Sequence, residues 1–277
     1  MRSIANICVS SRAQARCLAI WLALGIAILG WPNGSVQAQE IAFTAVSNDL
    51  YSVELATGDI QLIGDTGFEI AALAMSPNHG LMAVESGGRL LVLDQSTGQA
   101  SVVGPLGTIV TPWSTDLAFD SQGQLWLLAD RFLYTVDTTT GSVTAALGSE
   151  IPGIGLAWYG AQMYTADERL YLVDPVTGDA VPIGTGIPIA YVVNLSPYGA
   201  ETLLSLTAVL GGPNVYYQVD AVDINTGDRQ YLFSMPNNPV GLAAQPLQAT
   251  AVPGVAEYGS AFLILFIAAS GIGFLRR

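Results

Sequence analysis

Leu170-Tyr171-Leu172-Val173-Asp174-Pro175-Val176-Thr177-Gly178 is the stretch whose reading decides the fold. Leu170 and Leu172 point to one face of an extended chain and Tyr171 and Val173 to the other, so the segment is a strand. Asp174 can accept backbone N–H groups across the turn that follows, and Gly178 is free to take positive φ there. The apolar run after Gly178 returns as the partner strand, which makes the unit a β-hairpin.

The same unit occurs five times, at Glu54 to Gly58, Asp94 to Gly98, Asp137 to Gly141, Asp174 to Gly178 and Asp223 to Gly227. Its glycines recur 40, 43, 37 and 49 residues apart, near the period of propeller blades. Between the hairpins lies a second unit of small and apolar residues: Ala72 to Met75, Asp116 to Phe119, Gly155 to Trp158, Val192 to Leu195 and Gly241 to Ala244. Four of these lead through a polar turn into an alternating strand, namely Leu81 to Val84, Leu125 to Leu128, Gln162 to Thr165 and Thr202 to Leu206. The fifth has none after it, and Ile41 to Ser47 at the other end of the domain supplies the missing strand. The expected fold is therefore an all-β, five-bladed β-propeller over residues 39–248, closed by pairing its N- and C-terminal strands. The copies Leu133-Tyr134-Thr135-Val136-Asp137 and Leu170-Tyr171-Leu172-Val173-Asp174 resemble the Leu-Tyr-x-Val-Asp-x-x-Thr-Gly repeat of bacterial exported propellers. A propeller hosts many functions and names none.

The ends carry a different message. Arg2, Arg12 and Arg16 precede an apolar run from Cys17 to Trp31, and Val36-Gln37-Ala38 follows. That order is a secretory signal peptide over residues 1–38, expected to be cut after Ala38. The two cysteines, Cys8 and Cys17, both lie within it, so the mature part has no disulfide, thiolate nucleophile or cysteine metal site.

At the other end, in residues 249–277, Pro253, Glu257, Tyr258 and Gly259 precede an apolar stretch at 260–275 and then Arg276-Arg277. Physically this is a turn, a membrane helix of marginal length and a basic stop on the cytoplasmic side. The layout resembles the PEP-CTERM class of sorting signals, in its IPTL-CTERM-like variant. That resemblance implies export, transient membrane association and processing by an exosortase-like protease, in bacteria that often make extracellular polysaccharide.

Between Gln39 and Ala251 there are 21 acidic residues against four arginines, a net charge of −17, and the whole chain has no lysine. Such a field repels phosphate backbones and acidic polysaccharides, so nucleic acid is a poor partner. Schiff-base and phosphate-loop lysine chemistry are excluded with the lysines, and no glycine-rich phosphate motif is present. His79, the one histidine, falls in the turn Ser76 to Gly80, where it reads as a turn residue rather than a base.

Chain reversal puts the Asp-x-x-Thr-Gly turns on one face of the disc and the blade-to-blade crossings on the other. One carboxylate per turn supplies few of the six to eight oxygens of a calcium site. The turn acids therefore read as structural, no cofactor is expected, and Ca²⁺ binding is the alternative reading of that ring. The crossing face varies more. Asp116 stands where the other small-residue strands carry Ala72, Gly155, Val192 and Gly241, and should point near the axis. With Glu69, Asp130 or Asp167 it offers the carboxylate group that glycoside hydrolysis uses, one acid protonated and another ionised, but the preferred reading is of solvated loop acids and a single turn-capping Asp. Trp113 would be a sugar-stacking platform or a lid over the channel mouth.

The expected function is an exported, non-catalytic binding or scaffold module of the cell envelope or extracellular matrix. Its partners would be an extracellular polysaccharide or an envelope protein. A carbohydrate-active hydrolase or lyase is the alternative.

Overall fold

The computed structural model describes residues 40–76, 78–107, 115–147, 149–186, 190–211, 214–236 and 238–245. All of them belong to one unit that starts at Ala38. The expected signal segment, the C-terminal sorting segment and Trp113 lie outside the described residues.

The described chain folds into five four-stranded antiparallel sheets arranged as a β-propeller. Blade one contains β1 (Ile41–Val46), β2 (Asp49–Glu54) and β3 (Ile60–Asp65). Blade two contains β4 (Ile70–Ser76), β5 (Gly80–Glu85), β6 (Arg89–Leu93) and β7 (Ala100–Pro105). Blade three contains β8 (Thr115–Phe119), β9 (Leu125–Ala129), β10 (Phe132–Val136) and β11 (Val143–Ala145). Blade four contains β12 (Gly155–Tyr159), β13 (Gln162–Ala166), β14 (Leu170–Val173) and β15 (Ala180–Ile183). Blade five contains β16 (Ala190–Tyr198), β17 (Thr202–Gly211), β18 (Asn214–Asp223) and β19 (Arg229–Met235).

The last strand, β20 (Val240–Ala244), completes blade one, whose order is β20-β1-β2-β3. Ala42 pairs with Ala244 and Phe43 with Ala243, and buried Thr44 adds a hydrogen bond from its Oγ1 to the Gly241 carbonyl, at 2.8 Å. The ring is thus closed inside a sheet, which ties the two ends of the domain and leaves no inner or middle strand without a partner.

The small-residue strands β4, β8, β12, β16 and β20 are innermost and touch one another around the axis. Residues such as Ala72, Ala118, Ala157 and Ala243 are buried there, because only short side chains let five strands converge. Larger apolar residues of the middle strands, such as Leu81, Leu127 and Leu203, fill the spaces between blades.

The outer hairpins follow the turn chemistry read from the sequence. In four of them an aspartate Oδ1 accepts the backbone N–H groups two and three residues on: Ser96 and Thr97 for Asp94, Thr139 and Thr140 for Asp137, Val176 and Thr177 for Asp174, Asn225 and Thr226 for Asp223. Donors held this way favour the charged form. The Ser96 and Thr139 hydroxyls with neighbouring amides hold Asp94 and Asp137 below their ordinary range, and the Asn225 and Thr226 amides do so for Asp223. All five turn glycines have positive φ, between 72° and 81°.

These turns are also blade-to-blade contacts, which their sequence did not announce. Gly98 lies against Gly64 of the preceding blade, Gly141 against Gly104, and Gly227 against Gly184. A Cβ on Gly104 would overlap the Thr140 carbonyl oxygen, a backbone atom that cannot swing aside. Gly104→Ala should therefore lower stability by about 1–3 kcal/mol, the usual cost of overpacking. The denaturation midpoint measures it; a variant as stable as the parent would mean that the blades separate here without cost.

Candidate functional site

Two openings mark the ends of the propeller axis. By strand direction, one lies at the end of the inner turns, such as that joining β4 to β5. The other lies where the chain crosses from blade to blade. Between them sits Asp116.

Asp116 is fully buried on β8. Its Oδ2 accepts the backbone N–H groups of Leu156 (2.6 Å) on β12 and Leu195 (3.1 Å) on β16. Its Oδ1 accepts the N–H of Leu117 (2.8 Å) and Nδ2 of Asn194 (2.6 Å). Asn194 passes the link on, since its Oδ1 accepts the N–H of Leu242 (2.8 Å) on β20. The need is geometric: each innermost strand has a sheet neighbour on one side alone, so amides on its axial edge must find other acceptors. Two side chains serve four of the five inner strands.

Burial pushes the Asp116 carboxyl up to about 8, against the opposing pull of the Leu156, Leu195 and Leu117 amides and Asn194. A carboxyl whose two oxygens are occupied by four internal donors presents none to a substrate. The arrangement makes Asp116 a clasp.

Val192 is not the counterpart of Asp116. Counting back from the pairs Phe119–Leu125 and Pro197–Leu203, Asp116 opposite Leu128 and Asn194 opposite Leu206 occupy the same rung. Asn194 lies two residues beyond Val192 in the chain, and the pairing irregularity between them falls outside the stretch from Asn194 to the turn, so the rung is fixed by the register with β17. Blade five therefore also carries a polar group there, and it bonds to Asp116 directly.

None of Glu69, Asp130 and Asp167 is among the groups bonded to Asp116. Asp130 is exposed in the turn from β9 to β10, where it and Arg131 both have positive φ. Asp167 lies at the β13–β14 corner, and its Oδ2 is 3.9 Å from Nη2 of Arg131. This pair links blades three and four at the surface. Glu69 is exposed and lines the crossing-face opening.

That opening is a depression of about 210 Å³ walled by Ser47, Glu69, Ser86, Thr115, Tyr217 and Asn238 with apolar residues beneath. The Tyr217 hydroxyl donates to Oδ1 of Asn238. Among the described residues of this wall Glu69 is the one ionisable carboxylate, and no arginine is present. Trp113 precedes Thr115 by two residues in the chain.

Beside the opening rises a feature that the sequence reading missed. Strands β17 and β18 have ten residues each, against four to six in the corresponding strands of the other blades. The extra length carries exposed Leu210, Val215 and Tyr216, with Tyr191 exposed on the adjoining β16. Pairing of Leu210 with Val215, and of Ala208 with both Tyr217 and Tyr191, puts Leu210, Val215, Tyr217 and Tyr191 on one face. The signal was present as the largely apolar run from Thr202 to Leu210, which extends past Leu206 up to the turn residues Gly211-Gly212-Pro213.

Buried Asp220 also went unnoticed. Its Oδ1 accepts from Nε2 of Gln218 (2.7 Å), its Oδ2 has no hydrogen-bond partner among the described residues, and it attracts Arg229. Among the described residues no group of three or more His, Asp or Glu side chains comes together to hold a metal ion.

No protein-family model matches this sequence, and no curated protein does. Solved structures that it resembles include a protein of unknown function from Bacteroides thetaiotaomicron, at 12% identity over 75% of this chain and 65% of that chain, with a TM-score of 0.48. TolB from Acinetobacter baumannii is 17% identical over 81% of this chain and 60% of its own, with a TM-score of 0.47. A gluconolactonase from Xanthomonas campestris is 14% identical over 74% and 79%, with a TM-score of 0.47. The chain spans less than two thirds of the length of the first two, and at these identities the likeness carries no activity across.

Proposed function

We propose that this chain is an exported, non-catalytic binding or scaffold module of the cell envelope or extracellular matrix, with its ligand on the crossing face. The observation that carries the reading is the state of Asp116. The one acid aimed at the axis is consumed in holding the blades together, which leaves the opening with hydroxyls, an amide and the single carboxylate of Glu69. Hydrolysis of a glycosidic bond by the two-carboxylate route needs a second acid across the bond.

The surfaces suit recognition. Hydroxyl and amide groups in the depression can bond a hydroxyl-rich ligand, and the apolar face of the tall hairpin can pack against it. The net charge of −17 between Gln39 and Ala251 disfavours a polyanion, so the ligand is a neutral or amine-bearing extracellular polysaccharide, or an envelope protein. Delivery to that compartment rests on the two end segments, through a signal peptidase and an exosortase-like protease.

The test is to offer the protein neutral, amine-bearing and acidic extracellular polysaccharides, measuring binding by calorimetry and cleavage by release of reducing ends. Saturable binding without product is expected, weakened at least about tenfold by Tyr217→Ala, the loss typical of a central aromatic contact. Reducing ends that appear with the parent and vanish with Glu69→Gln would make the protein a hydrolase instead.

A further inference from the structure

At the opposite end of the axis is a second cavity of about 210 Å³, and its chemistry differs from that of the crossing face. All five inner strands contribute to it. Met75, Phe119, Trp158, Pro197, Leu242 and Ala244 form much of its wall, with Ser121 at the β8–β9 turn. His79 stacks on Phe119, with centroids 6.1 Å apart, and Trp126 packs on Trp158 at 5.3 Å. An apolar, partly aromatic cup thus occupies the centre of this end.

What surrounds the cup is acidic. The Asp-x-x-Thr-Gly turns reach the same end as the inner turns: Asn225 Nδ2 donates to Oε2 of Glu201 (3.4 Å), and Gln245 Nε2 to Oε1 of Gln95 (3.1 Å). Each outer turn opens with a carboxylate, and three carry a second one directly after the glycine, Asp59, Asp179 and Asp228. The inner turns add Asp120 and Glu201, and Glu40 stands just before β1. Nearby amides hold Asp94, Asp137 and Asp223 below their ordinary range, so these acids stay ionised in mild acid. The described arginines do not balance them. Arg89, Arg131 and Arg169 sit at corners of the crossing face, and Arg229 turns inward, its Nη1 3.4 Å from Oγ1 of buried Thr207.

We propose that this face docks a basic protein segment, with one apolar side chain of that segment seated in the cup and its Lys and Arg residues over the surrounding turns. An apolar centre inside a charged rim is the anatomy of a protein interface. The acids stand on turns of all five blades. A small cation seated in the cup would meet few of them, whereas a polycationic segment laid across the face meets many. The cup itself suits a single large side chain such as Phe. The proposal goes beyond the ligand assigned to the crossing face and does not depend on it. A protein on this face and a polysaccharide on the other would make the propeller a bridge.

Calorimetry of peptide binding to the full chain at neutral pH tests it. The probe is Gly-Arg-Gly-Arg-Phe-Arg-Gly-Arg-Gly, compared with the same peptide carrying Gly at its centre. The Phe peptide should bind at least about tenfold more tightly than the Gly peptide, the loss typical of removing a central aromatic contact. That preference should vanish in Met75→Glu, which puts a charge in the wall, and in Ser121→Trp, which covers the mouth and serves should Met75→Glu not fold. Asp59→Asn, Asp179→Asn and Asp228→Asn, combined in one protein, should weaken the Phe peptide at least about threefold in low salt. The same number of changes at exposed acids of the crossing face, Asp130→Asn, Glu150→Gln and Glu168→Gln, should weaken it far less. Equal affinity for the two peptides, no binding of either, a preference that survives in the cup variants, or equal weakening by the two charge sets would each overturn the proposal. So would a glucosamine oligomer that binds through Asp59, Asp179 and Asp228 where the Phe peptide does not, since the face would then belong to a polysaccharide.

Discussion

Asp116→Asn is expected to destabilise the propeller by about 2–5 kcal/mol, more than an ordinary single substitution. The replacement has the same shape, yet an amide nitrogen cannot accept a hydrogen bond, whereas the hydroxyl oxygen of the protonated acid still can. Two of the four donors now aimed at Asp116 would lose their acceptor, and whichever way the amide is turned its NH₂ faces them. Each buried donor left unsatisfied costs about 1–3 kcal/mol. The penalty should appear as faster unfolding as well as a lower midpoint, because the clasp joins blades three, four and five, which have to part. A midpoint unchanged by Asp116→Asn would mean that water replaces the carboxylate, and the clasp reading would fail.

The same residue should impose a pH dependence. Its folded-state value of about 8 lies above the 3.8 of an unperturbed aspartate, so the folded chain holds this proton more tightly than the unfolded chain does. The resulting stabilisation is complete below about pH 4 and is lost as the pH rises through about 8. Between pH 6 and 9 ordinary carboxylates are already ionised, which isolates the effect. Denaturant midpoints of the parent should fall across that window, and those of Asp116→Asn should fall less. Parallel pH profiles for the two proteins would show that Asp116 does not titrate there.

Removing Ile41 to Val46 should abolish cooperative unfolding and produce aggregates. Strand β1 stands between β20 and β2, so its loss exposes two sheet edges at once and opens the ring. It also removes the Thr44 hydroxyl from the Gly241 carbonyl and detaches Glu40, whose carboxylate accepts the Tyr198 hydroxyl of blade five. Burial, with that bond, pushes Tyr198 up to about 12. Size-exclusion chromatography and denaturant unfolding of the shortened protein are the measurements. A monomer that still unfolds in one sharp transition would show that four complete blades sustain the ring without the closure.

How much of this was legible in the sequence can be judged position by position. Asp-x-x-Thr-Gly could be read as a hairpin because everything it needs lies within six residues: a carboxylate that accepts nearby amides, and a glycine at positive φ. Alternation named the strands, and the count of units, with one strand missing at the C-terminal end and one spare at the N-terminal end, was enough for five blades and their closure. Local codes and a repeat therefore determined the fold.

The use of single polar residues was decided by tertiary structure alone. Asp116 read as a local turn cap or an axial acid, and only the closed ring brings Leu156, 40 positions away, and Asn194, 78 positions away, within hydrogen-bond distance of its oxygens. Asn194 sits two positions beyond Val192, and only its pairing with Leu206 on β17 shows that it shares the rung of Asp116. Gly64 and Gly104 gave no sign of their partners, since the Thr97 and Thr140 carbonyls they accommodate belong to the next blade. A hairpin is fixed by interactions between near neighbours in the chain, whereas a buried carboxylate takes its role from whatever donors the closed ring delivers to it.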